Sequence, residues 1–213
     1  LDGALIVNLA AYYAKYKNYQ ANSPDFVNGV RTTRLINAGS VSTQGFEFEL
    51  VANPADNFSV NAGLAYNKAK VEQFLLPPGA NPADLIPSGT PLANAPEWKF
   101  ATGFDWTIET GGFANVELNG QLAMQSDQIY ELSANPAVRR GSTVDGYAIV
   151  DLSAALVDQN DGWRVALQVK NLFDKSFASS IVSGGPGGAF RYIIPREADR
   201  YFGITARVNF GGN

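Results

Sequence analysis

Arg200-Tyr-Phe-Gly-Ile-Thr-Ala-Arg-Val-Asn-Phe210 decides how this chain is read. Phe202, Ile204, Ala206, Val208 and Phe210 share one parity; Tyr201, Gly203, Thr205, Arg207 and Asn209 share the other. Successive side chains of an extended strand point to opposite faces, so the stretch is a strand with one apolar face and one polar face. A soluble sandwich can use such a strand. So can a membrane barrel, with lipid outside and water inside. The choice rests on whether the rest of the chain repeats the pattern with the right connections.

It does. Working outward from the last strand, seven more are expected. The first runs from Ala4 to Gln20, with Leu5, Val7, Leu9, Ala11 and Tyr13 on its apolar face. The second runs from Arg34 to Val51, where Phe46, Phe48 and Leu50 oppose Glu47 and Glu49. The third is Phe58 to Phe74 and the fourth Glu97 to Ile108, with Trp98 and Trp106 near its ends, as in interfacial aromatic girdles. The fifth is Phe113 to Tyr130, the sixth Tyr147 to Val157 and the seventh Trp163 to about Phe173. Short turns are read at Asn53–Asn57, Glu109–Gly112 and Asp158–Gly162. Long loops are read at Ala21–Thr33, Leu75–Pro96, Glu131–Gly146 and Asp174–Asp199. The Leu75–Pro96 loop is too rich in proline for helix or central strand. Strict alternation of short and long connections puts all short turns and both chain ends on one side, the signature of an outer-membrane barrel. A soluble all-β domain would have to bury every apolar face in one core, and strands this long do not suit that.

Composition narrows the function. The chain has 213 residues, 46% hydrophobic and only 17% charged. It has no Cys and no His, which removes disulfides, thiolate metal sites and the commonest general base. A net charge of −4 argues against a nucleic-acid surface. No apolar run is long enough for a membrane helix. The chain starts at Leu1 with neither Met nor a signal peptide, so a processed protein or a segment of a longer one is expected.

Four stretches carry a resemblance: Asn37-Ala-Gly-Ser-Val-Ser-Thr-Gln-Gly-Phe-Glu-Phe-Glu49, Asn94-Ala-Pro-Glu-Trp98, Val169-Lys-Asn-Leu-Phe-Asp-Lys175 and the last strand. In this order and spacing the chain resembles the C-terminal part of the β-barrel of a TonB-dependent outer-membrane receptor. The resemblance implies an all-β, antiparallel up-and-down barrel of 22 strands, of which residues 1–213 supply eight, about the last third. It implies a Gram-negative outer membrane and energy-coupled uptake of a scarce bulky solute such as a ferric siderophore. It also implies a plug and a TonB complex acting through it, with the plug absent from this chain. The Phe210 strand resembles the signal read by barrel-assembly machinery, although Gly211-Gly-Asn213 follows the aromatic.

No catalytic motif or cofactor site is expected. Glu47 and Glu49 read as a solvated lumen face, Asp158–Asp161 as a turn rather than a calcium loop, and Gly184–Gly188 as a loop rather than a phosphate cradle. Ligand-binding candidates are Arg139, Arg140, Arg191 and Arg196, with Arg31, Arg34 and Arg200 on the same outer side. Arginine suits an anionic small molecule, and it also suits lipopolysaccharide phosphates or loop carboxylates. Tyr12, Tyr16 and Tyr130 are read as lumen or wall aromatics. Two other readings stay open. One is a complete eight-stranded barrel with a structural or adhesive role. The other is an outer-membrane enzyme acting on lipid, which the absence of His disfavours.

Overall fold

A computed structural model describes residues 4–27, 30–37, 39–76, 79–160, 162–183 and 189–210; between 21 and 36 only the backbone is described. The wall is one antiparallel sheet of eight strands. In chain order they are β1 (Leu5–Lys17), β4 (Gly39–Ala55), β5 (Phe58–Phe74), β6 (Trp98–Ile108), β7 (Ala114–Gln125), β10 (Tyr147–Asp158), β11 (Trp163–Lys170) and β14 (Tyr201–Val208). Each pairs with the strand before and after it in this sequence, so the topology is up-and-down. β1 and β14 are the two edges and do not pair with each other. The sheet is therefore open, as a section of a larger barrel must be.

Register holds the two faces together across all eight strands. The row Val7–Leu50–Ala62–Thr102–Leu122–Val150 runs from β1 to β10, and Leu167 and Ile204 extend the same face from Ala154. Because side chains alternate strictly, one outward row places every second row on the same face. The large apolar side chains face out, not in: Leu9 is 73% exposed, Ile204 71% and Phe202 75%. Among the described residues the buried apolar side chains are mostly small, such as Ala69, Ala114, Ala155, Ala166 and Ala178. A continuous exposed apolar band of this kind has no stable place in water and fits hydrocarbon. Aromatics close the band at both rims. Phe46, Tyr66 and Trp98 cluster at the long-loop rim, with Tyr66 and Trp98 at 4.6 Å. Phe58 meets Phe104 and Trp106, and Phe113 stacks on Trp163, at the short-turn rim.

The expected loop at Ala21–Thr33 is instead a hairpin, β2 (Gln20–Val27) and β3 (Val30–Asn37). Pro24 favours a loop, yet a two-stranded ribbon has open edges where a missing N–H costs no ladder bond. The second wall strand accordingly starts at Gly39, not Arg34, after Gly39 turns the chain at φ 108°. A Cβ there would lie 2.1 Å from the Gln73 carbonyl, so only glycine fits. β4 also runs through Pro54 to Ala55, with an irregular register between Ala52 and Ala55. The wall part of the fifth strand stops at Gln125 rather than Tyr130, and that of the seventh at Lys170.

β5 outreaches β6, and the proline-rich loop covers the surplus. Val71 N–H donates to the Thr90 carbonyl (2.9 Å), Gly89 N–H to the Val71 carbonyl (2.8 Å) and Leu92 N–H to the Ala69 carbonyl (3.1 Å). Those bonds satisfy an edge that would otherwise be bare. The same loop contains a 3-10 turn at Pro82–Asp84, capped by Asn81.

Candidate functional site

Two surfaces could act on a solute: the inner wall and the cap of outer loops. On the inner wall, polar side chains pair along the rows. Asp105, Asn119 and Ser153 are register neighbours; Asn119 Nδ2 donates to Asp105, and Ser153 Oγ donates to Asn119 at 3.1 Å. Lys170 Nζ lies 2.9 Å from Asp151 across one strand gap. Arg164 reaches Glu117 at 2.9 Å by passing over β10 at Ala155, which is only 3% exposed. Small inward residues make that reach possible. Asn61, Gly103, Asp105, Asn119, Gln121 and Asp151 border a shallow depression of about 230 Å3. Glu47 and Glu49 stand exposed, Glu49 accepting from Asn8 at 3.4 Å. Tyr12 points inward over Gly45. Among the described residues no group of acids could hold a metal. These pairs hold a wall; none is a nucleophile beside a base.

The outer loops fold on each other. The loop after β7 carries the short strand β8 (Gln128–Ile129), the helix α1 (Pro136–Gly141) and β9 (Thr143–Val144). The loop after β11 carries the hairpin β12 (Ser180–Ser183) and β13 (Phe190–Ile193). Val144, Ala178 and Ile181 form a small core with Tyr130, Tyr147 and Phe190. Tyr147 stacks on Phe177 at 4.3 Å, and the Phe190 ring lies against Gly141, where a Cβ would collide with it. Gln128 Nε2 donates to the Tyr130 hydroxyl (3.0 Å), which donates to the Ala178 carbonyl (3.2 Å). Asn94 N–H donates to the Ile129 carbonyl (2.9 Å), tying the proline-rich loop to the others.

Asn171, within the Val169–Lys175 stretch that carries the resemblance but given no role there, is the staple of this cap. It is 1% exposed and sits at φ 52°. Its N–H donates to Asp151 Oδ1 (2.9 Å) and its Oδ1 accepts from Lys175 N–H (2.8 Å). Its Nδ2 donates to the Lys175 and Glu197 carbonyls. Asp174, at φ 54°, accepts from Arg200 N–H at 2.9 Å. The Val169–Lys175 stretch is thus a strand end and loop clamp in one. The positive φ of Asn94 gives its stretch a similar turning role.

The structure separates the candidate arginines. Arg139 donates to the Ser133 and Ala134 carbonyls and is committed to its own loop. Arg140, in the last turn of α1, is exposed, and so is Arg191 on β13. The contact of Phe190 with Gly141 brings the segments bearing these two together. Arg196 lies over the Tyr201 ring at 5.0 Å, and Arg200 over Phe202 at 5.9 Å. The side chains of Arg31 and Arg34, and the glycine run Gly184–Gly188, lie outside the described residues. Asp158 caps its turn, accepting from the Asn160 and Gly162 N–H groups; Asp161 is also outside them.

An antiparallel wall that is apolar outside, polar inside and girdled by aromatics at both rims belongs to a transmembrane β-barrel of the outer membrane of Gram-negative bacteria. Residues 1–172 match the family described as TonB dependent receptor-like, beta-barrel, and the chain belongs to that family. Its members are receptors and transporters, not enzymes. Solved structures share the fold. The ferric yersiniabactin uptake receptor FyuA from Yersinia pestis is 16% identical at a TM-score of 0.73, over 98% of this chain and 28% of that one. The ferric-catecholate import receptor Fiu from E. coli K12 is 20% identical at 0.69, over 99% and 26%. The siderophore receptor PiuA from Acinetobacter baumannii is 16% identical at 0.72, over 97% and 26%. The chain thus spans about a quarter of the length of these receptors.

Proposed function

We propose that this chain is the C-terminal wall of a receptor that imports a scarce, bulky, anionic solute of the ferric siderophore kind. The carrying observation is the packed outer cap, which presents Arg140 and Arg191 on segments in mutual contact. Two exposed guanidinium groups on a fixed frame suit an anionic chelate, since little ordering is left to be done on binding. The iron complex is cargo here, not a resident group. Energy coupling would run through TonB and a plug outside this chain. The wall alone performs no chemistry; it lines the path. The open sheet, with β1 unpaired to β14, weighs against a self-contained eight-stranded barrel.

The test uses the complete receptor in outer membranes, with a ferric triscatecholate and a ferric hydroxamate as probes. Arg140→Gln with Arg191→Gln should weaken binding of one probe about tenfold, and more at low salt than at high salt. Arg139→Gln should act through stability instead, lowering the amount of folded receptor. Unchanged affinity for both probes in the double variant would remove these arginines from the site.

A further inference from the structure

We propose that the lumen side of β11 and β14 is a lane for the imported anion, with Arg207 as the site it meets last. The inference rests on the proposed function, an anionic chelate, but it concerns the path below the cap. On this face β11 presents Arg164, Ala166, Gln168 and Lys170, and β14 presents Tyr201, Gly203, Thr205 and Arg207. Arg164 and Arg207 stand directly opposite each other near the short-turn rim, and Lys170 stands opposite Tyr201 at the long-loop end. Neither strand contains an acid. The other half of the wall is the reverse. On the lumen face of β4, β5 and β6 the acids are Glu47, Glu49 and Asp105, and Lys99 is the one cation among the described residues there.

Local charge balance grades the lane. Lys170 is held by Asp151 and Arg164 by Glu117, both at 2.9 Å. Arg207 is exposed and has no ion pair among the described residues. An anion thus passes two paired cations before a free one, a gradient that draws it toward the short-turn mouth. Weak sites in series let a charge move on rather than stop, and Arg or Lys linings select anions in pores. A groove lined by one sign also concentrates the opposite sign. The floor is low: Ala155 and Ala166 are buried, and Gln168 lies across Gly203, where a Cβ would stand 2.7 Å from its Nε2. A bulky solute can therefore approach the backbone here. Arg196, over the Tyr201 ring, sets a further cation where the lane meets the cap.

The experiment uses the complete receptor in whole cells, with radiolabelled ferric triscatecholate, a multiply charged anion, as the probe. Binding to de-energised cells reads the cap. The maximal uptake rate of energised cells, per receptor folded by heat-modifiable mobility, reads the path. Arg207→Gln should keep the parent's binding affinity and lower maximal uptake about fivefold, and Arg207→Lys should recover most of it. Glu117→Gln releases Arg164, so adding it to Arg207→Gln should bring uptake back to within about twofold of the parent. A purely structural Arg164–Glu117 pair predicts the opposite, a further loss. If Arg207→Gln fails to fold, Glu117→Gln alone should still raise maximal uptake about twofold. Absence of binding by the parent would sink the anionic reading and the lane with it. Intact binding with uptake insensitive to Arg207→Gln, or with no recovery on adding Glu117→Gln, would overturn the lane alone. A leak of bulky antibiotics into de-energised Arg207→Gln cells at unchanged uptake would also overturn it, and would reassign Arg207 to packing against the plug.

Discussion

Ala155 is small, and Arg164 therefore reaches Glu117 across a whole strand. Many choices in this chain work by such local permission rather than by local strength. The pair itself is partly exposed, so its own contribution is modest, about 0–1 kcal/mol. Asn171 is a stronger case. Asn171→Ala would leave the Lys175 N–H and the Lys175 and Glu197 carbonyls without their partner. A loss of about 1–3 kcal/mol is expected, confined to the loop after β11 and read as faster amide exchange over residues 172–200. Glu72 gives a pH signature. It lies in β5 well past the girdle residue Tyr66, in the part covered by the proline-rich loop. Its hydrogen bond from Ser42, and then that from Lys70, hold its carboxyl below the usual carboxylate range. A depressed folded-state value contributes stability above the ordinary carboxylate pKa and loses it as pH falls through the lowered one. Protection of the Val71 and Gln73 amides should therefore fall on acidification below about pH 4, and Glu72→Gln should abolish that dependence.

At the scale of the element, parity is what a substitution tests. Leu167 and Gln168 are neighbours in β11, opposite Ile204 and Gly203, yet one faces lipid and the other the lumen. Leu167→Arg should cost about 2–4 kcal/mol and Gln168→Arg about 0–1, measured by denaturant unfolding of the receptor in lipid vesicles. Phe210, 92% exposed just past β14, invites a kinetic test: Phe210→Ala should slow barrel assembly in cells while the mature receptor keeps its denaturant midpoint. The wall strands were legible because period two is a local property and lipid leaves the apolar face uninterrupted. β5 spans Phe58–Phe74, the same bounds that its alternation gives in the sequence. The hairpin of β2 and β3 was not legible, since Pro24 and Asn28-Gly29 read as loop and no apolar face marks it. Strand ends blurred for a similar reason: β4 continues through Pro54, and the chain leaves β7 at Gln125 while the polar pattern runs on.

At the scale of the molecule, the cap shows what local pattern cannot carry. Arg139 and Arg140 look alike in sequence; only the Ser133 and Ala134 carbonyls distinguish them. Lys15 and Lys70 are far apart in the chain and share one row, with Ser42 between them, only through the β1–β4 and β4–β5 registers. Eight strands form an open wall with β1 and β14 at separate edges. These 213 residues contain no cysteine, so thiols introduced on β1, β11 and β14 are the only ones in this wall. The most direct measurement is thiol cross-linking of the complete receptor in outer membranes with a short bifunctional reagent. Ala166→Cys with Thr205→Cys, opposite each other on β11 and β14, is the control and should link efficiently. Thr205→Cys with Cys at Asn8, Ala10 or Tyr12 of β1 should not link in any register. Efficient linking of β1 to β14 would mean that the eight strands close on themselves, and would contradict the account.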